Sequence, residues 1–345
     1  MGTAADSLVV RPYAAADRPR LADLLRQVWS YKRDVDRHVD SRWWWQWPEP
    51  PLFVVDDPDR GELAGLCAYI PCVVRSRGRE ATCAWFVDFY VLASQQGRGL
   101  GKRLTQAVQA RFDVTASLSQ TAMAYRVFQK LGWSERSSAH VLMHPMPAPW
   151  LFPARPPQIG IDVTPIGASL PHRADLDALW AQLKDAYPLI ARRSADDLAR
   201  RYAPQGDRRY TLVTAARDSG CAGYMIVRVV CPAPGGTRRP VGLIVDALTA
   251  PGDTAAFRAL LGEAVRVLAA DHVSRVFCLA TDPAQQTALA ARGFLSPETP
   301  LVGRWMTGNT KWLTCITNAG AAWVTPAEWY LTLGDCDVDY AWFLD

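Results

Sequence analysis

The chain predicts an α/β (α+β) fold of two lobes, each a central, mostly antiparallel mixed sheet flanked by helices. Three observations carry that expectation. Short β-branched and aromatic runs alternate with amphipathic segments at helical spacing. A proline-rich stretch, Met146-Pro-Ala-Pro-Trp-Leu-Phe-Pro-Ala-Arg-Pro-Pro157, divides the chain near its middle. Landmarks of the first half then return in the second at a nearly constant separation. At 345 residues the chain exceeds what one core usually serves, so two domains of ordinary size fit the length.

Composition narrows the class. Hydrophobic residues make up 49% and charged residues 21%, the balance of a soluble globular protein, and no apolar run approaches the ~20 residues of a membrane helix. The start, Met1-Gly-Thr-Ala-Ala-Asp6, has neither the basic nor the apolar part of a secretion signal, and Asp6 departs from the N-myristoylation pattern. The expectation is a cytoplasmic protein without a membrane partner. A formal charge of +4 without a Lys/Arg run gives no reason to expect nucleic acid. The eight cysteines, at 67, 72, 83, 221, 231, 278, 315 and 336, show no C-x-x-C and no His at metal spacing. They read as reduced core thiols, and no metal is expected.

In chain order, Leu8-Val-Val-Arg-Pro-Tyr is a first strand, and the next helix carries the stripe Leu21, Leu24, Leu25 and Val28 with Trp29 at its margin. Arg42-Trp-Trp-Trp-Gln-Trp-Pro48 either walls a substrate or acyl pocket or packs the first helices onto the sheet. Leu52-Phe-Val-Val-Asp, Leu63 to Pro71 and Glu80 to Phe86 follow as strands of an antiparallel meander. Trp85 to Leu92, broken only by Asp88, fits a central strand and runs into Gln96-Gly-Arg-Gly-Leu-Gly101. Gly97, Gly99 and Gly101 let the backbone approach a ligand, and Leu104, Ala107, Val108 and Phe112 recur at helical spacing. Unpaired N–H groups at that helix start would face a phosphate. A dinucleotide site wants Gly-x-Gly-x-x-Gly and an acid about 20 residues later; here the glycines alternate and Ser/Gln stands near 120. Val114 to Leu118 is a short strand, Ser119 an N-cap, Gly132 the end of a helix through Leu131, and His140 to His144 a last strand.

Gln96-Gly-Arg-Gly-Leu-Gly101 resembles the Gln/Arg-x-x-Gly-x-Gly/Ala signature of the GNAT superfamily of acyl-CoA N-acyltransferases. Lys130-Leu-Gly-Trp133 resembles its second signature, normally Lys-x-Gly-Phe, so the resemblance covers about residues 8 to 146. It implies acetyl-CoA or another short acyl-CoA as cosubstrate. Gln96, Gly97, Arg98, Gly99, Leu100, Gly101 and Lys102 would cradle its pyrophosphate, and the backbone of Val91 and Ala93 would meet the pantetheine arm. Arg98, Lys102 and Arg103 either add charge near the phosphates or are solvated surface. Many members place a tyrosine where this chain has Phe128, which is expected to border the cosubstrate but has no proton to give the departing thiolate. Tyr125, one turn earlier, either reaches that space as the acid or packs.

An amine with pKa near ~10 is mostly protonated at neutral pH, so acyl transfer to it needs a proton acceptor. Asp88 interrupts an apolar strand, where a carboxylate is costly unless solvated in a cleft or paired. Asp88-Phe-Tyr-Val is similar to the Asp-Leu-Tyr-Val of many GNAT enzymes whose acid contacts or deprotonates the amine. Asp88 is therefore either the base or a structural Asp paired with a buried Arg.

Ala64-Gly-Leu answers to Ala222-Gly-Tyr and Asp88 to Asp246, both at an offset of 158, while Gly132-Trp133 answers to Gly293-Phe294 at 161. At 158, Gln96, Gly99 and Gly101 correspond to Thr254, Phe257 and Ala259. The expected organisation is a catalytic acyl-CoA-binding domain over 1–146, a linker over 147–157, a degenerate GNAT-like domain over 158–310, and an aromatic, acidic segment over 311–345. In that last segment the alternating Asp335, Asp337 and Asp339 meet a cation or metal, or the segment docks on the protein; two-copy GNAT enzymes suggest a third role, a C-terminal carboxylate in the active site. The expected function is N-acyl transfer, most simply N-acetyl transfer, to a small amine such as an amino sugar or secondary-metabolite amine. The alternatives are a non-catalytic acyl-CoA-binding module and a GNAT-fold acyl-CoA hydrolase or decarboxylase.

Overall fold

The structure is a computed structural model that describes residues 7–31, 35–40, 44, 47, 49–118, 120–146, 159–206, 208–218, 220–231, 239–296, 312–319 and 329–336. The chain forms two compact units, one of residues 1–72, 81–135 and 316–322, the other of 73–80, 136–315 and 323–345.

In the first unit β1 (Val9–Pro12) pairs antiparallel with β2 (Leu52–Asp57), and β2 with β3 (Glu62–Ser76). β4 (Arg79–Val91) lies between β3 and β5 (Val114–Leu118), and runs parallel to β5. The helices are α1 (Arg18–Val28), α2 (Val35–Asp40), α3 (Leu100–Gln109) and α4 (Ala122–Lys130). Each longer helix buries an apolar stripe: Leu21, Leu24 and Leu25 on α1, Leu100, Leu104 and Val108 on α3, Ala124 and Phe128 on α4. Thr121 caps α4 by accepting from the Ala124 N–H at 3.3 Å. This corrects the expected cap, Ser119, which lies outside the described residues: the helix starts later, and Thr121 is the residue whose oxygen reaches its first turn.

Asp17, 2% exposed at the start of α1, ties this unit together. Its carboxylate accepts from Arg11 at 2.6 Å and Arg20 at 2.5 Å, and both guanidiniums also reach Asp56 on β2. The Arg11 hydrogen bond above all, joined by Arg20 and the Ala14 N–H, holds the Asp17 carboxyl well below the usual carboxylate range. A depressed carboxyl stabilises the fold above its unfolded value and loses that contribution as pH falls through its folded one. Asp17→Asn is therefore expected to cost about 2 kcal/mol at neutral pH. In urea titrations the deficit should shrink toward zero in strong acid; a deficit constant with pH would sink the ion-pair account.

The second unit contains most of β6 (Ser134–Pro145), then β7 (Gly160–Pro165), β8 (Leu189–Ala191), β9 (Thr211–Arg217), β10 (Gly220–Val230), β11 (Val241–Thr249) and β12 (Arg275–Leu279). Its main sheet has the order β6-β12-β11-β10-β9-β7. The helices are α5 (Arg173–Leu183), α6 (Ala195–Tyr202), α7 (Thr254–Ala270) and α8 (Pro283–Ala291). Its core is packed by Phe257, Leu260, Leu261, Ala264, Val265 and Leu268 of α7.

The repeat is visible in backbone detail. Ala84 pairs with Thr115 in the first unit, and their counterparts Gly242 and Val276 pair in the second. Ala64 is an extra residue in β3 and Ala222 in β10, because the registers jump there. A Cβ on the following residue would lie 2.8 Å from the Tyr90 carbonyl at Gly65, and 2.7 Å from the Leu248 carbonyl at Gly223. Both must be glycine for the strands to approach. The helix ends match too: the Trp133 N–H donates to Phe128 O at 3.1 Å and the Phe294 N–H to Leu289 O at 3.0 Å, past glycines at φ 79° and 92°.

The two compact units do not divide the chain at a single point. Val141–Pro145 of β6 hydrogen-bond with β12 in the second unit, whereas Ile316 of β13 (Trp312–Ala319) is fully buried in the core of the first. Each unit thus holds a strand from the other half of the sequence. The proline-rich segment 147–157 lies outside the described residues. The β3–β4 hairpin end belongs to the second unit, where Val74 and Arg75 pair with Ala191 and Ile190, and β14 (Trp329–Tyr330) pairs with β8.

Candidate functional site

The site is built where β4 outruns its neighbour. Phe86 and Phe89 both pack against Phe128, edge-on at 5.5 Å and stacked at 5.7 Å between centroids. A regular strand turns residues three apart to opposite faces, so β4 bulges between them. β11 shows the corresponding bulge in its register, Ile226 with Asp246 and Val227 with Ile244, leaving Val245 extra. β5 pairs with β4 from Cys83–Val114 to Phe86–Ser117 and ends at Leu118. Asp88 to Val91 therefore run past its last residue, and the Leu92 N–H bonds to Ala64 O at 2.9 Å.

A short 3-10 turn over Ala93–Gln95 then leads into the glycines. Gly97 and Gly99 have φ of 82° and 74°, where a side chain is strained although nothing lies within 4 Å of the space a Cβ would take. Gly99 caps α3 without a side chain, and the first helical bond comes from the Arg103 N–H to Gly99 O at 3.1 Å. The amides of Leu100, Gly101 and Lys102 are thus free of helical acceptors and carry the positive end of the helix dipole. Gly101 is glycine for packing: a Cβ there would sit 3.3 Å from Phe89 Cζ.

The expected cradle residues take distinct roles. Gln96 is exposed, and its side-chain N–H donates to Val91 O at 3.1 Å, bracing the strand end. Arg98 is exposed and donates at 2.5 Å to Oε1 of buried Gln95. Lys102 is exposed, with no ion pair among the described residues. Arg103 is turned to Leu8 O at 2.8 Å. Ala93 is exposed and Val91 half-buried. Leu100 is 1% exposed, so only its backbone can face a ligand.

Phe128 needs correction. It is 1% exposed and lies flat on Trp133 at 4.3 Å, enclosed with Phe86 and Phe89, so its ring is part of the core rather than an exposed surface. The sequence hid this because helical spacing does not say which rings close over one another. Tyr125 is half-buried, and its hydroxyl donates to Glu135 Oε2 at 2.7 Å, a bond that raises its pKa. Trp44 is fully buried and Trp47 partly so, while Trp43 and Trp45 lie outside the described residues.

Asp88 is 4% exposed. The Tyr90 hydroxyl reaches its Oδ1 at 3.5 Å, and Trp29 Nε1–H donates to the Tyr90 oxygen at 3.2 Å. Its counterpart Asp246 sits in another setting. Arg193 Nε donates to Asp246 at 3.1 Å, the Thr332 hydroxyl at 3.0 Å, and the hydroxyls of Tyr202 and Tyr224 at 3.1 and 3.3 Å. Asp246 is thus paired with a buried arginine. Asp335, first of the alternating acids near the C-terminus, is bound to the same Arg193 at 3.0 Å and so is not available to a cation. Asp337, Asp339 and the C-terminal carboxylate lie outside the described residues.

The second unit shows the same place closed. At Val91's counterpart, Thr249 O accepts from the Tyr187 hydroxyl at 2.8 Å, and at Phe89's, Ala247 O accepts from Tyr330 at 2.7 Å. Phe257 replaces Gly99 and is 2% exposed. Asp253 caps α7, accepting from the Ala256 N–H at 3.1 Å, which puts negative charge where α3 has none. Among the described residues, no group of three His, Cys, Asp or Glu is placed to hold a metal, and no helix is long and apolar enough to cross a membrane.

Sequence reasoning missed Tyr90 and Arg193. Tyr90 carried a signal, since it stands two residues from Asp88 on one strand and so on the same face. Arg193 carried none, being 53 residues from Asp246.

Residues 18–133 match the model of the acetyltransferase (GNAT) family. No curated protein matches the chain in sequence. Among solved structures, a GCN5-related N-acetyltransferase from Anabaena variabilis ATCC 29413 is similar with a TM-score of 0.60 at 13% identity, over 91% of this chain and 73% of that one. N-myristoyltransferase from Saccharomyces cerevisiae with bound myristoyl-CoA gives 0.57 at 11% identity, over 91% and 83%. A tandem GNAT protein from the clavulanic acid biosynthesis pathway gives 0.52 at 14%, over 91% and 99%. At these identities the likeness is one of fold. Sequence match and fold point the same way: residues 18–133 match the model of the acetyltransferase (GNAT) family, and the chain shares the fold of GNAT proteins, a tandem one among them.

Proposed function

We propose that the chain is an acyl-CoA-dependent N-acyltransferase whose first unit holds the cosubstrate and acylates a small amine. One contrast carries the reading: α3 starts at a left-handed glycine with no side-chain cap, while α7, its repeat, starts at an aspartate cap beside a buried phenylalanine. A pyrophosphate would lie on the amides of Leu100 to Lys102, with Arg98 and Lys102 beside it. The pantetheine arm would run along Asp88 to Val91, past the end of β5, with the backbone of Val91 and Ala93 as its partners.

The amine nitrogen attacks the thioester carbon, the C–S bond breaks, and the products are an amide and the CoA thiol. With Phe128 in the core and Tyr125 bonded to Glu135, proton transfer falls to the Asp88 side of β4. Acetyl is the simplest acyl group, and the cytoplasm supplies acetyl-CoA. The natural-product pathway of one fold relative makes such amines and amino sugars the first panel to try.

Incubation with acetyl-CoA and this panel, with free thiol measured, is expected to show release only when an amine is present. Release without amine would replace this reading by acyl-CoA hydrolysis. Binding without release would make the chain a carrier of acyl-CoA, the reading that the deep burial of Asp88 favours.

A further inference from the structure

Resting on that reading, we infer that Gln120 is a binding residue of the first unit, whose side-chain carbonyl accepts an amide N–H of the cosubstrate's pantetheine arm. Two observations meet there. Gln120 stands two residues past the end of β5, and its Oε1 is buried with no hydrogen-bond partner among the described residues. A buried acceptor without a donor is costly, and a ligand that brings an N–H removes the cost.

The second observation comes from the repeat, where the same place is filled by the chain itself. β4 and β5 are paired as far as Phe86–Ser117, and β11 and β12 as far as Ile244–Cys278, the matching residues at offsets of 158 and 161. Both ladders stop there, and β4 and β11 run on past their parallel neighbours. In the second unit the segment from Trp329 to Thr332 bridges the two strand ends. On one side the Tyr330 hydroxyl donates to Ala247 O at 2.7 Å and the Thr332 hydroxyl to Asp246 at 3.0 Å, both on β11. On the other, the Thr281 hydroxyl donates to Trp329 O at 2.8 Å and accepts from the Leu331 N–H at 2.9 Å.

Thr281 is the counterpart of Gln120. It stands two residues past the end of β12, at the offset of 161. Each is followed by the residue whose oxygen caps the next helix, Thr121 for α4 and Asp282 for α8. The main chain of the C-terminal segment is thus a resident stand-in for an extended, amide-bearing ligand. A peptide and a pantetheine arm both offer N–H donors and C=O acceptors along their length, and a carboxamide, like a hydroxyl, can meet either. In the first unit β4 flanks the arm from Asp88 to Val91, and Gln120 supplies the opposite side.

The test is Gln120→Met in the full chain, which keeps the length of the side chain and deletes its carboxamide. Isothermal titration uses two probes, acetyl-CoA and 3′-phospho-ADP, the nucleotide end without the pantetheine arm. The expected result is an acetyl-CoA affinity lower by about 10-fold with the affinity for 3′-phospho-ADP unchanged. The thermal midpoint of the free chain should hold or rise, because the variant no longer buries an orphan acceptor. Gln120→Leu is expected to give the same split, so either variant that folds decides the matter. Thr281→Val deletes the matching contact in the repeat, and should lower the midpoint while leaving acetyl-CoA affinity at the wild-type value. A folded Gln120→Met chain with wild-type acetyl-CoA affinity overturns the assignment alone, as does an equal loss for both probes. A wild-type chain that binds neither probe overturns the parent reading and this one with it.

Discussion

Arg193→Met is expected to lower the unfolding free energy by about 3–5 kcal/mol, the cost of leaving buried carboxylates without their cation. Arg193 is 3% exposed. It donates to Asp246 at 3.1 Å, to both oxygens of Asp335 at 3.1 and 3.0 Å, and to Ala191 O at 2.9 Å, with its guanidinium 5.2 Å from the Tyr330 ring centroid. Asp335 arrives on the segment that follows β14, where Gly334 leaves no room for a Cβ against the Tyr202 hydroxyl. One side chain thus fastens the β11 strand and the C-terminal segment to the same point.

The pH dependence follows from sign. Burial pushes the Asp335 carboxyl up, and Arg193 opposes that shift. Without Arg193 the Asp335 carboxyl of the folded protein titrates higher still. Stability that depends on a raised carboxyl is present in acid and lost as pH rises through the folded value. The deficit of Arg193→Met should therefore be larger at neutral pH than near the unfolded carboxyl value of ~3.9. Adding Asp246→Asn and Asp335→Asn should restore part of it. Urea titrations at the two pH values check both points, and equal deficits would show that lost packing, not charge, dominates.

Gly99→Val is expected to weaken acetyl-CoA binding by about 10- to 100-fold, since a φ of 74° costs an L residue roughly 1–2 kcal/mol and a β-branched one more. Relief of that strain would turn the amides of Leu100 to Lys102 away from the phosphates. Nothing lies within 4 Å of the added Cβ, so the fold should survive and the thermal midpoint move little. Isothermal titration with acetyl-CoA reads the affinity. Wild-type affinity in a folded Gly99→Val chain would remove the α3 start from the site. Thr254→Gly in the repeat should gain no acetyl-CoA binding, because Asp253 still caps α7 and Tyr187 and Tyr330 still occupy the strand carbonyls.

Much of this was legible in the residues because it is local. Only glycine sits easily at Gly97, Gly99 and Gly132 with positive φ, so the turn and the helix end are written where they occur. Val114–Leu118 formed as read from alternation, and the offset of 158 reappears as matching bulges and registers. The Asp88–Tyr90 pairing also follows from the two-residue period of a strand. What the chain alone left open involves partners far apart in sequence. Arg193 and Asp246 stand 53 positions apart, Trp29 and Tyr90 61, Arg193 and Asp335 142. Periodicity gives a face to each element but not the neighbour that covers it. For that reason β6 joining β12, β13 reaching the first core, Phe128 closing under Trp133, and Asp246 meeting Arg193 were decided only by tertiary packing.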